Sequence, residues 1–162
     1  IQRRRNVLVM FFKEHYLYPS AIFATDIPYK ITTVLGTCVA ICLWDERLKI
    51  GGINHYMLPL WNGEGLASPK YGNIATEKLL EKMLSMGCLK KDLIAKVFGG
   101  KNVQIELDSF KIGQKNIDYA YNILQELAIP IKGKSVGGVQ GRKLMFHTGT
   151  GEVFMKYIPI ST

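Results

Sequence analysis

Between Thr32 and Pro59 the chain alternates short apolar runs with tight polar breaks. Val39–Trp44 is almost wholly apolar, the pattern of a buried strand. Asp45-Glu46-Arg47 supplies a polar turn, and a second strand pattern runs from Leu48 to Met57, carrying Gly51-Gly52 and His55. Two such runs joined by a short polar loop predict a β-hairpin. Before it stands Gly36-Thr37-Cys38, where glycine permits a tight turn without a Cβ clash. Further along, the period changes. Ala75, Leu79, Met83 and Met86, broadened by Leu80 and Leu84, predict a helix over Ile74–Met86, with Asn73 as its N-cap and Gly87 at its C-terminal end. Ile117, Ala120, Tyr121, Leu124, Leu127 and Ala128 define a second amphipathic helix, stopped by Pro130, with Asn116 as a cap or first-turn residue. Strand patterns fill much of the rest: Val7–Phe12, Ile94–Phe98 ending at the Gly99-Gly100-Lys101-Asn102 turn, Val103–Leu107, and a terminal hairpin of Arg142–His147 with Glu152–Ile158.

Hairpins flanking two helices, without regular strand–helix alternation, predict an α+β fold: a layered sandwich of mixed β-sheets with helices packed on one side. A length of 162 residues suits a single domain over 1–162, with residues 1–21 as an irregular N-terminal extension. Phe11, Phe12 and Tyr16 are expected in the core.

Composition removes several function classes. Apolar residues make up 48% and charged residues 21%, which describes a globule. No apolar run reaches the length of a membrane span, so no membrane insertion is expected. The N-terminal apolar run lacks a secretory cleavage pattern. The net charge of +8 raises nucleic acid as a ligand, but Arg3-Arg4-Arg5 is the one basic cluster and the remaining lysines are scattered without interleaved aromatics, which argues against it. Cys38, Cys42 and Cys88 form no framework, so free thiols in the cytoplasm are expected. No CxxC or HxxxH spacing supports a metal site. Gly99-Gly100-Lys101 lacks the remainder of a phosphate loop, and the GxSxG elbow of serine hydrolases is absent.

The predicted hairpin carries the chemistry. It returns the end of its second strand beside the start of its first, so Cys38 and His55 become spatial neighbours. A histidine within reach can take the thiol proton and later protonate a leaving group. Backbone N–H groups of the turn at Gly36 and Thr37 can face a developing oxyanion. A buried structural cysteine and a satisfied core histidine remain the alternative reading of the same two residues. Asn54, beside His55, and Trp61, in the Gly/Pro/Ser-rich loop Trp61–Pro69, are candidates for lining a substrate cleft.

LGTCVAICLWD followed by KIGGINHYMLP resembles the signature of the CheD family, chemoreceptor glutamine deamidases of bacterial chemotaxis. YGNIATEKLLEKML, AKVFGGKN, IGQKN and VGGVQGRKLMFHTGTGEV follow in that family's order, so the resemblance spans about Ile22 to Tyr157. It implies that Cys38 is the nucleophile, His55 the base, and Thr32, six residues before the cysteine and next to Thr33, the third member of the site. It implies a cytoplasmic enzyme, without a cofactor, that converts glutamines on chemoreceptor cytoplasmic helices to glutamate. It also implies a CheC-type phosphatase as a binding partner; a non-enzymatic module regulating that phosphatase is the alternative function. Two positions depart from the family pattern: Lys101, where alanine is more common, and Lys115, where arginine is.

Overall fold

The computed structural model describes residues 13–103 and 111–160. Nine strands form two sheets among the described residues. Sheet A contains β1 (Lys13–Tyr16), β3 (Tyr29–Leu35), β8 (Arg142–His147) and β9 (Val153–Tyr157), in the order β1-β3-β8-β9. Sheet B contains β2 (Ile22–Thr25), β4 (Val39–Asp45), β5 (Ile50–Asn54), β6 (Leu93–Gly99) and β7 (Ile131–Val136), in the order β2-β5-β4-β6-β7. Both sheets are mixed: β1 runs parallel to β3 and β7 parallel to β6, and the other pairs are antiparallel. Among the described residues two α-helices, α1 (Gly72–Ser85) and α2 (Ile112–Glu126), cover one face of sheet B.

The predicted α+β sandwich, with helices on one side, is the architecture observed. Alternation along each strand sorts the side chains between two cores. Ile31 and Leu35 of β3 meet Ala40, Cys42, Ile53 and Phe98 of sheet B between the sheets, together with Leu144 and Phe146. The opposite face of sheet B sends Val39, Ile41, Leu43, Val97 and Ala95 toward Ala75, Leu79 and Met83 of α1 and Ile117, Ala120 and Leu124 of α2. Burying side chains such as Leu79 or Met83 contributes about 1.5–3 kcal/mol each. Close approach of α1 explains a glycine in β5: a Cβ on Gly52 would stand 2.7 Å from Leu79 Cδ1 and 2.9 Å from Met83 Sδ.

The predicted β4–β5 hairpin is present, with Asp45 fully buried and its Oδ1 accepting Leu48 N at 3.0 Å to close the turn. Its second strand ends at Asn54 rather than Met57, because beyond that point a single bridge, Val39–Tyr56, continues the pairing. Helix α1 begins at Gly72, and Asn73 is no cap: its Oδ1 accepts Trp61 N at 3.0 Å instead. Gly87 ends the helix in the left-handed region at φ 104°, as its position predicts.

Residues 1–21 are not simply an irregular extension. They contain β1, and Leu17 is fully buried between the sheets. Tyr16 is largely exposed rather than core, since it lies on an edge strand's outer face beside Thr32. Phe11, Phe12 and the strands read over Val7–Phe12 and beyond Val103 lie outside the described residues in whole or part.

Candidate active site

Cys38 lies just before β4 and His55 just after β5, at the same end of the hairpin. The Val39–Tyr56 bridge sets their relation, with Val39 N donating to Tyr56 O at 3.2 Å and Tyr56 N to Val39 O at 3.0 Å. In that register Cys38 stands across from Met57 and Ala40 across from His55. Cys38 and His55 are therefore diagonal neighbours on one face, with Cα atoms roughly 7–8 Å apart. Both point toward the inter-sheet core: Cys38 packs on that cluster, and the His55 ring reaches β3 of the facing sheet. Cys38 is half-buried, whereas His55 is buried.

The contact that orients His55 comes from Thr33. Its Oγ1 lies 2.8 Å from His55 Nδ1 and 2.7 Å from Leu17 O. A carbonyl only accepts, so the threonine hydroxyl spends its one hydrogen on Leu17 O. It must then accept from His55, which places the ring proton on Nδ1 and the lone pair on Nε2. This is the tautomer a general base needs, fixed by a second group. The β1–β2 connection adds a further anchor. Ser20, held in the left-handed region at φ 69°, donates its N–H to His55 O at 2.8 Å.

Thr32 does not touch this ring. Side chains alternate along β3, so Ile31, Thr33 and Leu35 face the core while Thr32 and Val34 face away. Of the two roles expected of Thr32, orienting His55 or the substrate amide, the first falls to Thr33. Asn54 is also no cleft residue. It is fully buried on the helix side of β5, where its Oδ1 accepts Ile41 N at 2.9 Å and its Nδ2 reaches Thr76 Oγ1 at 3.3 Å. Trp61 is held within its own loop, its Nε1 donating to Glu64 O at 2.9 Å.

The turn before Cys38 is shaped from outside. Gly36 has neither a left-handed φ nor a neighbour within 4 Å of a built Cβ, so its lack of a side chain is not what the turn requires. The demanding glycine is Gly99, at φ 109°, where a Cβ would run into Cys38 O. Gly100 N then donates to Cys38 O and Lys101 N to Gly36 O, each at 2.9 Å. The Gly-Gly-Lys turn thus braces the backbone of Cys38. Gly99→Ala is expected to lose folding yield or shift Cys38, read as a lowered melting temperature together with slowed thiol alkylation; a variant as stable and as readily alkylated as wild type contradicts this.

Electrostatics describe a neutral resting pair. Burial pushes the Cys38 thiol up from its ordinary value, an effect partly offset by its own backbone N–H. Burial lowers His55 to about 4. At neutral pH the thiol keeps its proton and the imidazole is uncharged, so an attack by this thiol would have to move the proton during the step rather than beforehand. Protonating His55 removes its lone pair. Activity should therefore fall as pH drops through about 4 and stay level through neutrality. An acid limb near the ordinary histidine value, 6.5, in the kcat/KM profile would contradict that environment.

The CheD chemotactic sensory transduction family model matches residues 57–157. A protein of Sulfurimonas denitrificans named probable chemoreceptor glutamine deamidase CheD is 45% identical over 152 residues, covering 92% of this chain and 97% of its own. The chain belongs to the CheD family. A Trichlorobacter lovleyi protein of the same name is 49% identical over 144 residues, 88% of this chain and 89% of its own. The family model begins just after His55, whereas a match over 92% of the chain necessarily takes in Cys38 and His55. No helix among the described residues is long and apolar enough to cross a membrane. Within this CheD chain, sequence reasoning missed Thr33 as the histidine's partner and Asn116, whose buried amide reaches Thr37 O and Met57 O.

Proposed function

We propose that this CheD chain hydrolyses glutamine side-chain carboxamides on chemoreceptor cytoplasmic helices through a Cys38 thioester. The observation that carries the reading is the Leu17 O–Thr33–His55 chain of hydrogen bonds, which leaves Nε2 as the acceptor on a ring neighbouring Cys38. The relatives' names supply the substrate class. His55 Nε2 takes the proton from Cys38 Sγ as sulfur bonds to the carboxamide carbon. The oxyanion is met by backbone N–H groups of the Thr37–Cys38 turn. His55 returns the proton to nitrogen, the C–N bond breaks and ammonia leaves. Water then attacks the thioester, giving one proton to Nε2; the C–S bond breaks as Nε2 returns that proton to Cys38 Sγ, and the new carboxyl group ionises to glutamate. Each turnover adds one negative charge to the receptor and requires no cofactor.

A macromolecular substrate suits the surroundings. Met57, two residues after His55, is exposed and its Sδ meets Ser20 Oγ at 3.5 Å. Tyr18 and Leu60 flank these residues with 67% and 61% of their surfaces exposed, an apolar rim wider than a free amino acid needs. In this reading the Trp61–Pro69 loop continues that rim, and a CheC-type phosphatase would bind over the same cleft. The test is ammonia release from a purified receptor cytoplasmic fragment, with mass spectrometry locating each glutamine converted. Release from wild type, mapped to discrete glutamines, supports the reading; a folded wild type that converts none across several receptor fragments overturns it.

A further inference from the structure

The two segments that carry Cys38 and His55 are joined beyond their last strand rung by one side chain from a helix. Val39–Tyr56 is the final bridge between them. One residue further out on each side, Thr37 O and Met57 O each accept a hydrogen bond from Asn116 Nδ2, both at 3.0 Å. An asparagine amide has two N–H donors, and both are used here. Asn116 is fully buried, and its backbone carbonyl accepts the Tyr56 hydroxyl at 2.6 Å, so the tie itself is anchored to the same strand end. On the other side of the turn, Gly100 N and Lys101 N hold Cys38 O and Gly36 O. The nucleophile's loop is thus fixed from two directions, and Asn116 also grips the segment that follows His55. Its Oδ1 is buried without a hydrogen-bond partner among the described residues, an arrangement that packing alone would not favour over an apolar residue.

We propose that Asn116 is a positioning residue for the deamidase reaction, its amide setting the separation between the Cys38 turn and the segment that follows His55. This rests on the Cys38–His55 reading above. A displacement of about 1 Å between reacting groups can cost roughly 100-fold in rate, so the effect should appear in kcat while KM, governed by the rim, stays nearly constant. The tie is also independent of substrate. It should alter how readily His55 assists the Cys38 thiol toward a small alkylating reagent.

The experiment compares wild type with Asn116→Asp, Asn116→Ser and, as a stability control on the same helix, Ala120→Gly. Asn116→Asp keeps the shape but sets carboxylate oxygens against Thr37 O and Met57 O; Asn116→Ser keeps a single donor. Three readouts are taken: melting temperature, kcat and KM on a receptor fragment, and the rate of Cys38 alkylation by iodoacetamide at pH 7, with His55→Ala as reference. The expected result for Asn116→Asp is a kcat loss of roughly 100-fold with KM within about threefold. Alkylation should fall to the His55→Ala rate, and Asn116→Ser should lie between. Ala120→Gly should lower the melting temperature without the kcat–KM split. Should Asn116→Asp not fold, Asn116→Ser and its alkylation rate decide the matter. Asn116 variants that alkylate at the wild-type rate, or that lose no more kcat than Ala120→Gly at equal melting temperature, overturn the proposal. A wild type without deamidase activity would overturn the functional reading instead, and the alkylation ratios would still judge Asn116.

Discussion

Cys38→Ala should abolish ammonia release, with a loss of about 1,000-fold or more, and His55→Ala should come close to the same level. The reason is the division of labour in the proposed mechanism. A half-buried thiol whose pKa is raised carries little thiolate at neutral pH, so without a base the sulfur is a poor nucleophile. Without the sulfur, His55 has only water to activate against an unstrained amide. Effects of groups acting as one unit do not add, so the Cys38→Ala/His55→Ala double variant should be no worse than the poorer single variant. Neither change should unfold the protein, because the hairpin is held by its own ladder and by both cores. Either variant retaining wild-type turnover while folded would remove that residue from the mechanism.

Thr33→Val should cost roughly 10–100-fold in kcat, whereas Thr32→Val should change it by about twofold or less. The valine keeps the threonine's shape but removes the acceptor for His55 Nδ1–H and the donor to Leu17 O. The ring then loses its tautomer bias, and a buried carbonyl loses its donor, which costs about 1–3 kcal/mol in stability. Thr33→Ser, which restores the hydroxyl, should recover most of the rate. Thr32 lies on the outer face of sheet A beside Tyr16 and Met145, so its hydroxyl has no part in that relay. A Thr32→Val loss as large as that of Thr33→Val would return the role to Thr32.

That pair of threonines marks where sequence reading stops. The family pattern counts residues back from the cysteine, and a count cannot say which way a side chain faces. On a strand, a shift of one residue changes the face, and the register of β3 against β8 selects Thr33. The β4–β5 hairpin was legible because its runs are apolar on both faces, as burial between a second sheet and two helices demands. The short strands β1 and β2 and the parallel strand β7 were not. Lys13-Glu14-His15 and Lys132-Gly133-Lys134 carry the polar residues typical of sheet edges and give little periodic signal. Asn116 looked like a helix-start residue because its partners are 79 and 59 positions away in sequence. Contacts of that span become visible only once the sheet and α2 are assembled.

The most direct test of the central claim is to trap the acyl-enzyme. The receptor fragment is incubated with wild-type protein and hydroxylamine, then digested and examined by mass spectrometry. A thioester on Cys38 diverts to hydroxylamine, so the account predicts glutamyl hydroxamate at the same positions that otherwise become glutamate, with none from Cys38→Ala. Conversion to glutamate with no hydroxamate at saturating hydroxylamine, or conversion that persists in Cys38→Ala, would contradict a covalent route through this cysteine.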